Sequence, residues 1–183
     1  FGILVGFVGR WVFDAVHFAG NFIGTSIGFS MASVLDPHSE TQNIALAELQ
    51  YIMAALLFLA MDGHHFYLSA MVTSFKAIGL GKVVFIANAE QIANFLIRMS
   101  SEVILLGVKL SAPILIVVLL TNLTFSLIAR AVAQMNVLVL SFIANLVVGF
   151  VVFIASLPGF INMVESAFDN YTPELFNFMR LFG

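Results

Sequence analysis

The chain has 183 residues, of which 61% are hydrophobic and 9% are charged, and its mean hydropathy is +1.08. Soluble globular proteins contain about 45–50% apolar and about 25% charged residues, so this composition excludes an ordinary soluble domain and indicates a membrane or membrane-complex protein made of a few long helices. A net charge of −3 argues against a nucleic-acid partner, and the lack of cysteine excludes disulfides, thiolate metal sites and a cysteine nucleophile.

Residues 1–35 carry only two charged side chains, Arg10 and Asp14, whose spacing of four lets them pair along a helix. One helix over this whole run would measure about 50 Å, longer than a hydrocarbon core of about 30 Å. The run therefore either breaks near Arg10 or does not simply cross a bilayer. Small residues at a spacing of four share one face of this predicted helix and favour close helix packing: Gly20, Gly24, Gly28 and Ala32.

A polar segment begins at Asp36-Pro37, where the proline disfavours helical backbone at the preceding residue and lacks its own amide donor. From Asp36 to Glu48 the chain has three acids, one histidine and no lysine or arginine. We therefore expect a solvated loop or the lining of an aqueous cavity.

From Leu49 the chain is apolar again, and we expect a helix that continues through Gly63-His64-His65 to Phe75. The glycines and lysines of residues 76–82 predict a turn after it. The stretch 83–107 is the least hydrophobic of the predicted helices, which indicates an interfacial position or packing against protein.

Two uncharged runs, residues 110–129 and 137–157, each have about the twenty residues that a spanning helix requires. Pro113 is predicted in the first turn of the first run, and Pro158 at the end of the second. With only a short polar break between them, the two runs predict an antiparallel helical hairpin. Thr172-Pro173 reads as an N-cap followed by proline at the first helical position, which predicts a short terminal helix.

Asp62, His64 and His65 are the only cluster of residue types that commonly bind metals. Adjacent histidines point about 100° apart on a helix, so only one of them can share a face with a third ligand. We therefore interpret the cluster as a polar patch or a helix-end hydrogen-bonding group, with no metal site and no cofactor. A membrane metalloenzyme that uses Asp62 and one histidine is the alternative.

Amide side chains lie within or beside the apolar runs, where an amide can hydrogen-bond across to another helix. We interpret them as structural, and the alternative is a substrate site of a small polytopic transporter at Asn122 and Asn145. The sequence shows no phosphate-binding loop, serine nucleophile motif or paired carboxylates on a soluble scaffold, so an enzyme is not expected. The polar residues predicted to be structural are Asp62, His64, His65, Asn122, Gln134, Asn136 and Asn145.

Four motifs, in this order, resemble the FliR family of flagellar biosynthetic proteins. They are GTSIGFSMASVLDPHS from Gly24, LLFLAMDGHH from Leu56, SFKAIGLG from Ser74 and RAVAQMNVLVLSF from Arg130. The resemblance covers nearly the whole chain, which would correspond to one domain, residues 1–183, without the N-terminal helices of a family member. The injectisome homologue of the same superfamily is the alternative; it tends to carry a charged run where this chain has residues 24–30, which favours the flagellar branch.

The resemblance implies a subunit of the export gate of the flagellar type III secretion system, in the bacterial inner membrane at the flagellar basal body. The family assembles with FliP and FliQ, with FlhB wrapped around the gate, and unfolded flagellar subunits pass through. It also implies that the hydrophobic helices are buried mostly against other subunits. The polar loop would correspond to a plug that helps to close the channel: Asp36, Pro37, His38, Ser39, Glu40, Thr41, Gln42, Asn43 and Ile44.

Overall fold

A computed structural model describes residues 2–28, 45–77, 89–131 and 137–179. These residues form the helices α1 (Gly2–Ile27), α2 (Ala45–Ala60), α3 (Gly63–Ala77), α4 (Ala89–Ala131) and α5 (Val137–Met179). Within the described ranges only Gly28, Met61 and Asp62 lie outside a helix, in turns, and there is no strand. The predicted all-α class is confirmed.

The first helix, α1, is the centre of the fold, since α2, α4 and α5 all pack against it. It does not break at Arg10, whose Nη2 donates a hydrogen bond to Asp14 Oδ1 at 3.3 Å. The run is not one continuous helix, however, because α1 ends at Ile27 and the backbone turns at Gly28. Residues 29–35 lie outside the described residues. Its 26 residues correspond to about 39 Å.

Two groups of buried residues surround α1. The loop-end cluster lies near the C-terminus of α1 and contains Ile23, Ile27, Leu46, Ile114, Val118 and Phe153. The second group lies towards the opposite end and contains Val12, Val16, Ala19, Ala54, Leu110, Phe160, Val164 and Ala167. Beside the second group, Phe13, Phe58 and Phe168 form a ring cluster across α1, α2 and α5, with centroids 5.2–5.6 Å apart.

The predicted hairpin is confirmed as α4 packed against α5, but both helices are longer than the sequence predicted. Each has 43 residues, and Pro113 lies inside α4 and not in a first turn. Pro158 does not end α5, and no separate helix begins at Thr172, because α5 continues to Met179. Buried neighbours lie close to each proline, such as Ile114 and Phe160, and this packing outweighs the loss of one backbone hydrogen bond.

The predicted continuous helix through Gly63 is also wrong, since the chain bends by 69° between α2 and α3. Asp62 has a φ of 56°, a left-handed conformation that a short polar side chain tolerates. A Cβ at Gly63 would collide with the ring of Phe58, so glycine is required where the chain turns past that ring.

Two stretches, Glu90–Arg130 of α4 and Val139–Asn170 of α5, are long and apolar enough to cross a membrane, and the bent pair α2–α3 would be a third span if it acted as one. Both long helices expose large hydrophobic side chains, including Leu119, Leu127 and Val151 at 60–67% of their surface. Lipid or other protein must cover these faces, because exposing so large an apolar surface to water is unfavourable. The chain is therefore a membrane protein.

Candidate functional site

The candidate site is the end of α1 that leads into the predicted polar loop, together with the contacts that hold this end in place. Gly20 is the closest contact. A Cβ atom added to Gly20 would lie 2.5 Å from Ala47 Cα and 2.8 Å from Ala47 Cβ. Since real Cβ atoms do not approach backbone so closely, α1 and α2 can meet here only through a glycine.

Glycines also lie at the contacts of α1 with the two long helices. A Cβ at Gly107 of α4 would lie 2.5 Å from Phe18 Cδ1 and 3.1 Å from the carbonyl oxygen of Ala15. A Cβ at Gly149 of α5 would lie 2.7 Å from Ile27 Cδ1. Each of the three interfaces of α1 is thus built around one residue without a side chain.

The small-residue face predicted from the sequence is only partly a helix face. Gly20 and Gly24 are buried within α1, whereas Gly28 follows the last residue of the helix and Ala32 lies outside the described residues. Gly28 has a φ of 107°, and its amide donates to the carbonyl of Gly24 at 3.2 Å. Gly28 therefore acts as the helix C-terminal glycine. We expected Gly20 to contact other subunits. Its neighbour is instead Ala47 of the same chain.

The described residues that flank residues 29–44 lie in one buried cluster. Ile27, at the end of α1, is 1% exposed, and Leu46, in the first turn of α2, is 3% exposed. Both belong to the loop-end cluster, together with Ile114 and Val118 of α4 and Phe153 of α5. Gly28 itself packs against the ring of Phe142, since a Cβ there would lie 2.7 Å from Phe142 Cε2. The described residues on either side of this range, Ile27 and Leu46, therefore lie in one cluster.

A buried glutamine lies beneath this region. Gln50 of α2 is 1% exposed, and its Oε1 has no hydrogen-bond partner. That oxygen faces Gly20, 2.7 Å from where a Cβ would lie. Near it, Asn21 Nδ2 donates to His17 Nδ1 at 3.0 Å, and the His17 ring lies edge-on to Tyr51, with 6.4 Å between centroids. The α1–α2 interface is therefore polar near Gly20, although both helices are apolar overall.

The predicted amide pair joins the two long helices. Asn145 Nδ2 of α5 donates to Asn122 Oδ1 of α4 at 2.7 Å. Asn145 is 7% exposed and its own Oδ1 has no partner, while Asn122 is exposed and lines a groove of about 500 Å³ with Ser26 of α1 and Ser126 of α4. Several serines and threonines of these helices donate to a carbonyl of their own helix, as Ser126 Oγ does to the carbonyl of Asn122 at 2.8 Å. The bond between Asn122 and Asn145 thus joins the two long helices.

The other predicted polar residues divide between the described and the undescribed parts of the chain. Asp62, His64 and His65 come together at the α2–α3 turn, where His65 Nδ1 donates to Asp62 Oδ1 at 3.3 Å. Gln134 and Asn136, and all the residues of the predicted plug, Asp36 to Ile44, lie outside the described residues.

Sequence reasoning missed Gly107, Gly149 and Gln50. Each is a single glycine or a single amide inside a long apolar helix, and an isolated glycine at such a position commonly has a packing reason. That signal could have identified the first two. Gln50 gave a similar signal, since a polar side chain within an apolar run requires a reason for its burial.

The sequence matches a family described as bacterial export proteins, family 1, over residues 1–171. It is similar to a flagellar biosynthetic protein FliR from Bacillus subtilis, with 28% identity over 100% of this chain and 70% of the relative. A protein of the same name from Escherichia coli is 32% identical, with 97% of this chain and 66% of the relative covered. A third, from Buchnera aphidicola subsp. Baizongia pistaciae, is 30% identical over 96% of this chain and 68% of the relative. The chain thus spans about two thirds of the length of these relatives.

Proposed function

Since the chain belongs to the bacterial export proteins, family 1, we propose that it is a subunit of the export gate of a bacterial flagellar type III secretion system. The observation that carries this proposal is the match over residues 1–171, together with relatives named flagellar biosynthetic protein FliR. The chain would form the channel with FliP and FliQ, in contact with FlhB, and unfolded flagellar subunits would pass through it.

We further propose that residues 36–44 act as a plug. The support is that Ile27 and Leu46, on either side of residues 29–44, are both buried in the loop-end cluster. The loop that the sequence predicts would stay in one place because the residues that flank it are buried, and displacing a loop would disrupt less packing than displacing a helix. Asp36 and Glu40 would make this closure interact with cations more readily than with anions.

The apolar faces that α4 and α5 expose are the second support for the proposal, because they need to be covered by protein partners or by lipid. Leu120, Leu123 and Leu127 of α4 are more than half exposed, as are Val147, Val151 and Ile154 of α5. Partner helices of FliP and FliQ, and lipid of the bacterial inner membrane at the flagellar basal body, would cover these surfaces. The chain's own role is then structural gating, and it would not act as an enzyme.

The injectisome homologue remains the second candidate, because it belongs to the same superfamily by resemblance. The relatives named FliR favour the flagellar branch. A small transporter would need a substrate site at Asn122 and Asn145, but those two side chains are hydrogen-bonded to each other at 2.7 Å.

To test the proposal, the protein is co-expressed with FliP and FliQ and extracted in a mild detergent. The mass of the extracted complex is then measured by native mass spectrometry. We expect one assembly that contains all three proteins. If the protein is extracted free of FliP and FliQ while those two still assemble with each other, the export-gate proposal is wrong.

A further inference from the structure

The turn between α2 and α3 brings three metal-binding side chains together on a fixed backbone. The carbonyl of Asp62 accepts hydrogen bonds from the amides of His65, at 3.0 Å, and Phe66, at 3.3 Å, and these bonds begin α3. On the other side of the turn, the amide of Asp62 donates to the carbonyl of Leu59 at 3.2 Å. Together with the packing of the Phe58 ring on Gly63, these contacts hold the backbone that carries the three side chains.

The side chains of Asp62, His64 and His65 converge, although adjacent residues on a helix point in different directions. Asp62, His64 and His65 each offer one ligand atom, and these atoms all lie within 4.8 Å of one another. The expectation that adjacent histidines diverge on a helix is wrong here, because the rings of His64 and His65 turn towards each other, with centroids 4.1 Å apart. A small rotation of each side chain would bring the three atoms around one ion, whose bonds to nitrogen and oxygen measure about 2.0–2.2 Å.

One of these side chains has a polar atom that the protein does not satisfy. The Nδ1 of His64 is buried and has no hydrogen-bond partner, and leaving a buried polar atom unpaired is costly. Asp62 and His65, in contrast, are exposed, so an ion could reach the cluster and keep water as a further ligand. Two imidazoles and one carboxylate suit a borderline divalent transition metal ion better than Mg²⁺ or Ca²⁺, which prefer oxygen ligands.

We propose that Asp62, His64 and His65 bind one divalent transition metal ion, for which Zn²⁺ is the probe, and that the bound ion holds the bend between α2 and α3. This site is independent of the proposed role in export, because it depends only on the α2–α3 turn. Its ligands lie on one short segment, Asp62 to His65, so no partner subunit is needed to form it.

The test is a competition titration of the full protein, purified in detergent without a histidine tag, against a chromophoric Zn²⁺ indicator. We expect one Zn²⁺ per chain, and at least a tenfold loss of affinity in His64→Gln, in His65→Gln and in Asp62→Asn. His17→Gln is the matched control, because His17 lies on α1 and bonds to Asn21. It should leave the affinity unchanged. Absence of stoichiometric binding, or equal affinity in the three ligand variants and the parent, would overturn the proposal and leave a polar helix-end cluster.

A second measurement avoids variants that do not fold. The parent protein is treated with diethyl pyrocarbonate with and without Zn²⁺, and the modified histidines are identified by mass spectrometry. We expect Zn²⁺ to protect His64 and His65 by at least fivefold and to leave His17 unaffected. Equal modification of His64 and His65 with and without Zn²⁺ would contradict the site.

Discussion

Gly20 of α1 and Ala47 of α2 are so close that a Cβ atom on the glycine would lie 2.5 Å from the alanine Cα. Neither residue has a flexible group at this contact that could move aside. The approach brings the beginning of α2 beside α1, and with it Leu46 into the same cluster as Ile27. The close contact between Gly20 and Ala47 therefore helps to bring Ile27 and Leu46 into one cluster.

Replacing Gly20 with alanine should destabilise the chain. The added methyl group would overlap the Ala47 backbone and the Gln50 Oε1, and overpacking of this kind costs about 1–3 kcal/mol. We expect a lower thermal midpoint for unfolding in detergent, measured by the loss of helical circular dichroism. Gly6→Ala is the control on the same helix, since nothing lies within 4 Å of its Cβ position. A Gly20→Ala variant as stable as Gly6→Ala would mean that the two helices are not in contact at this point.

Gly28→Ala should be destabilising for a different reason. A residue with a side chain is strained at the φ of 107° that Gly28 has, and this strain costs about 1–3 kcal/mol. The new methyl group would also contact the Phe142 ring. The two effects can be separated with Phe142→Ala, which removes the ring but not the backbone strain. We expect Gly28→Ala still to lower the unfolding midpoint in the Phe142→Ala background. No effect there would show that α1 does not turn left-handed at Gly28.

The hydrogen bond between Asn122 and Asn145 should contribute measurably to the packing of α4 on α5. A double-mutant cycle with Asn122→Ala and Asn145→Ala isolates their interaction, and amide pairs between apolar helices give coupling energies of about 0.6–1.7 kcal/mol. We expect a coupling in this range from unfolding in detergent. Two additive single variants would indicate that the 2.7 Å contact does not form.

The exposed pair Arg98–Glu102 on α4 should contribute little to stability. The contact of 3.0 Å joins two side chains that are 60% and 32% exposed, and exposed ion pairs at a spacing of four give about 0.3–0.5 kcal/mol. We therefore expect Glu102→Gln to lower the unfolding midpoint much less than Gly20→Ala. A loss for Glu102→Gln as large as that for Gly20→Ala would show that this ion pair stabilises the chain more than an exposed pair does.

The helical class, the hairpin and the pairing of Arg10 with Asp14 could be predicted from the sequence, because each depends on local periodicity or spacing. The ends of the helices could not. Pro113 and Pro158 are local signals for helix ends, but packing around Ile114 and Phe160 keeps both helices continuous. Conversely, the apolar run through Asp62 predicted one helix, and the Phe58 ring against Gly63 accompanies a bend of 69°.

The glycine contacts could be predicted only in part. The spacing identified Gly20 as a close-packing position, but not that its partner is α2 of the same chain. Gly28 continued the spacing and yet ends the helix, because glycine also suits a positive φ. Which of these two uses applies depends on where the helix stops, and that is set by contacts between residues distant in sequence.

The proposed closure by residues 36–44 is tested most directly by ion conductance. Deleting residues 41–44 leaves Ala45, the first residue of α2, and the anchoring residues Ile27 and Leu46 in place. A variant with glycine and serine at the same four positions controls for loop length. We predict that the deletion variant assembles with FliP and FliQ as the parent does, and that membranes containing it conduct small ions more than those with the parent. An assembled deletion variant with the conductance of the parent would contradict the plug.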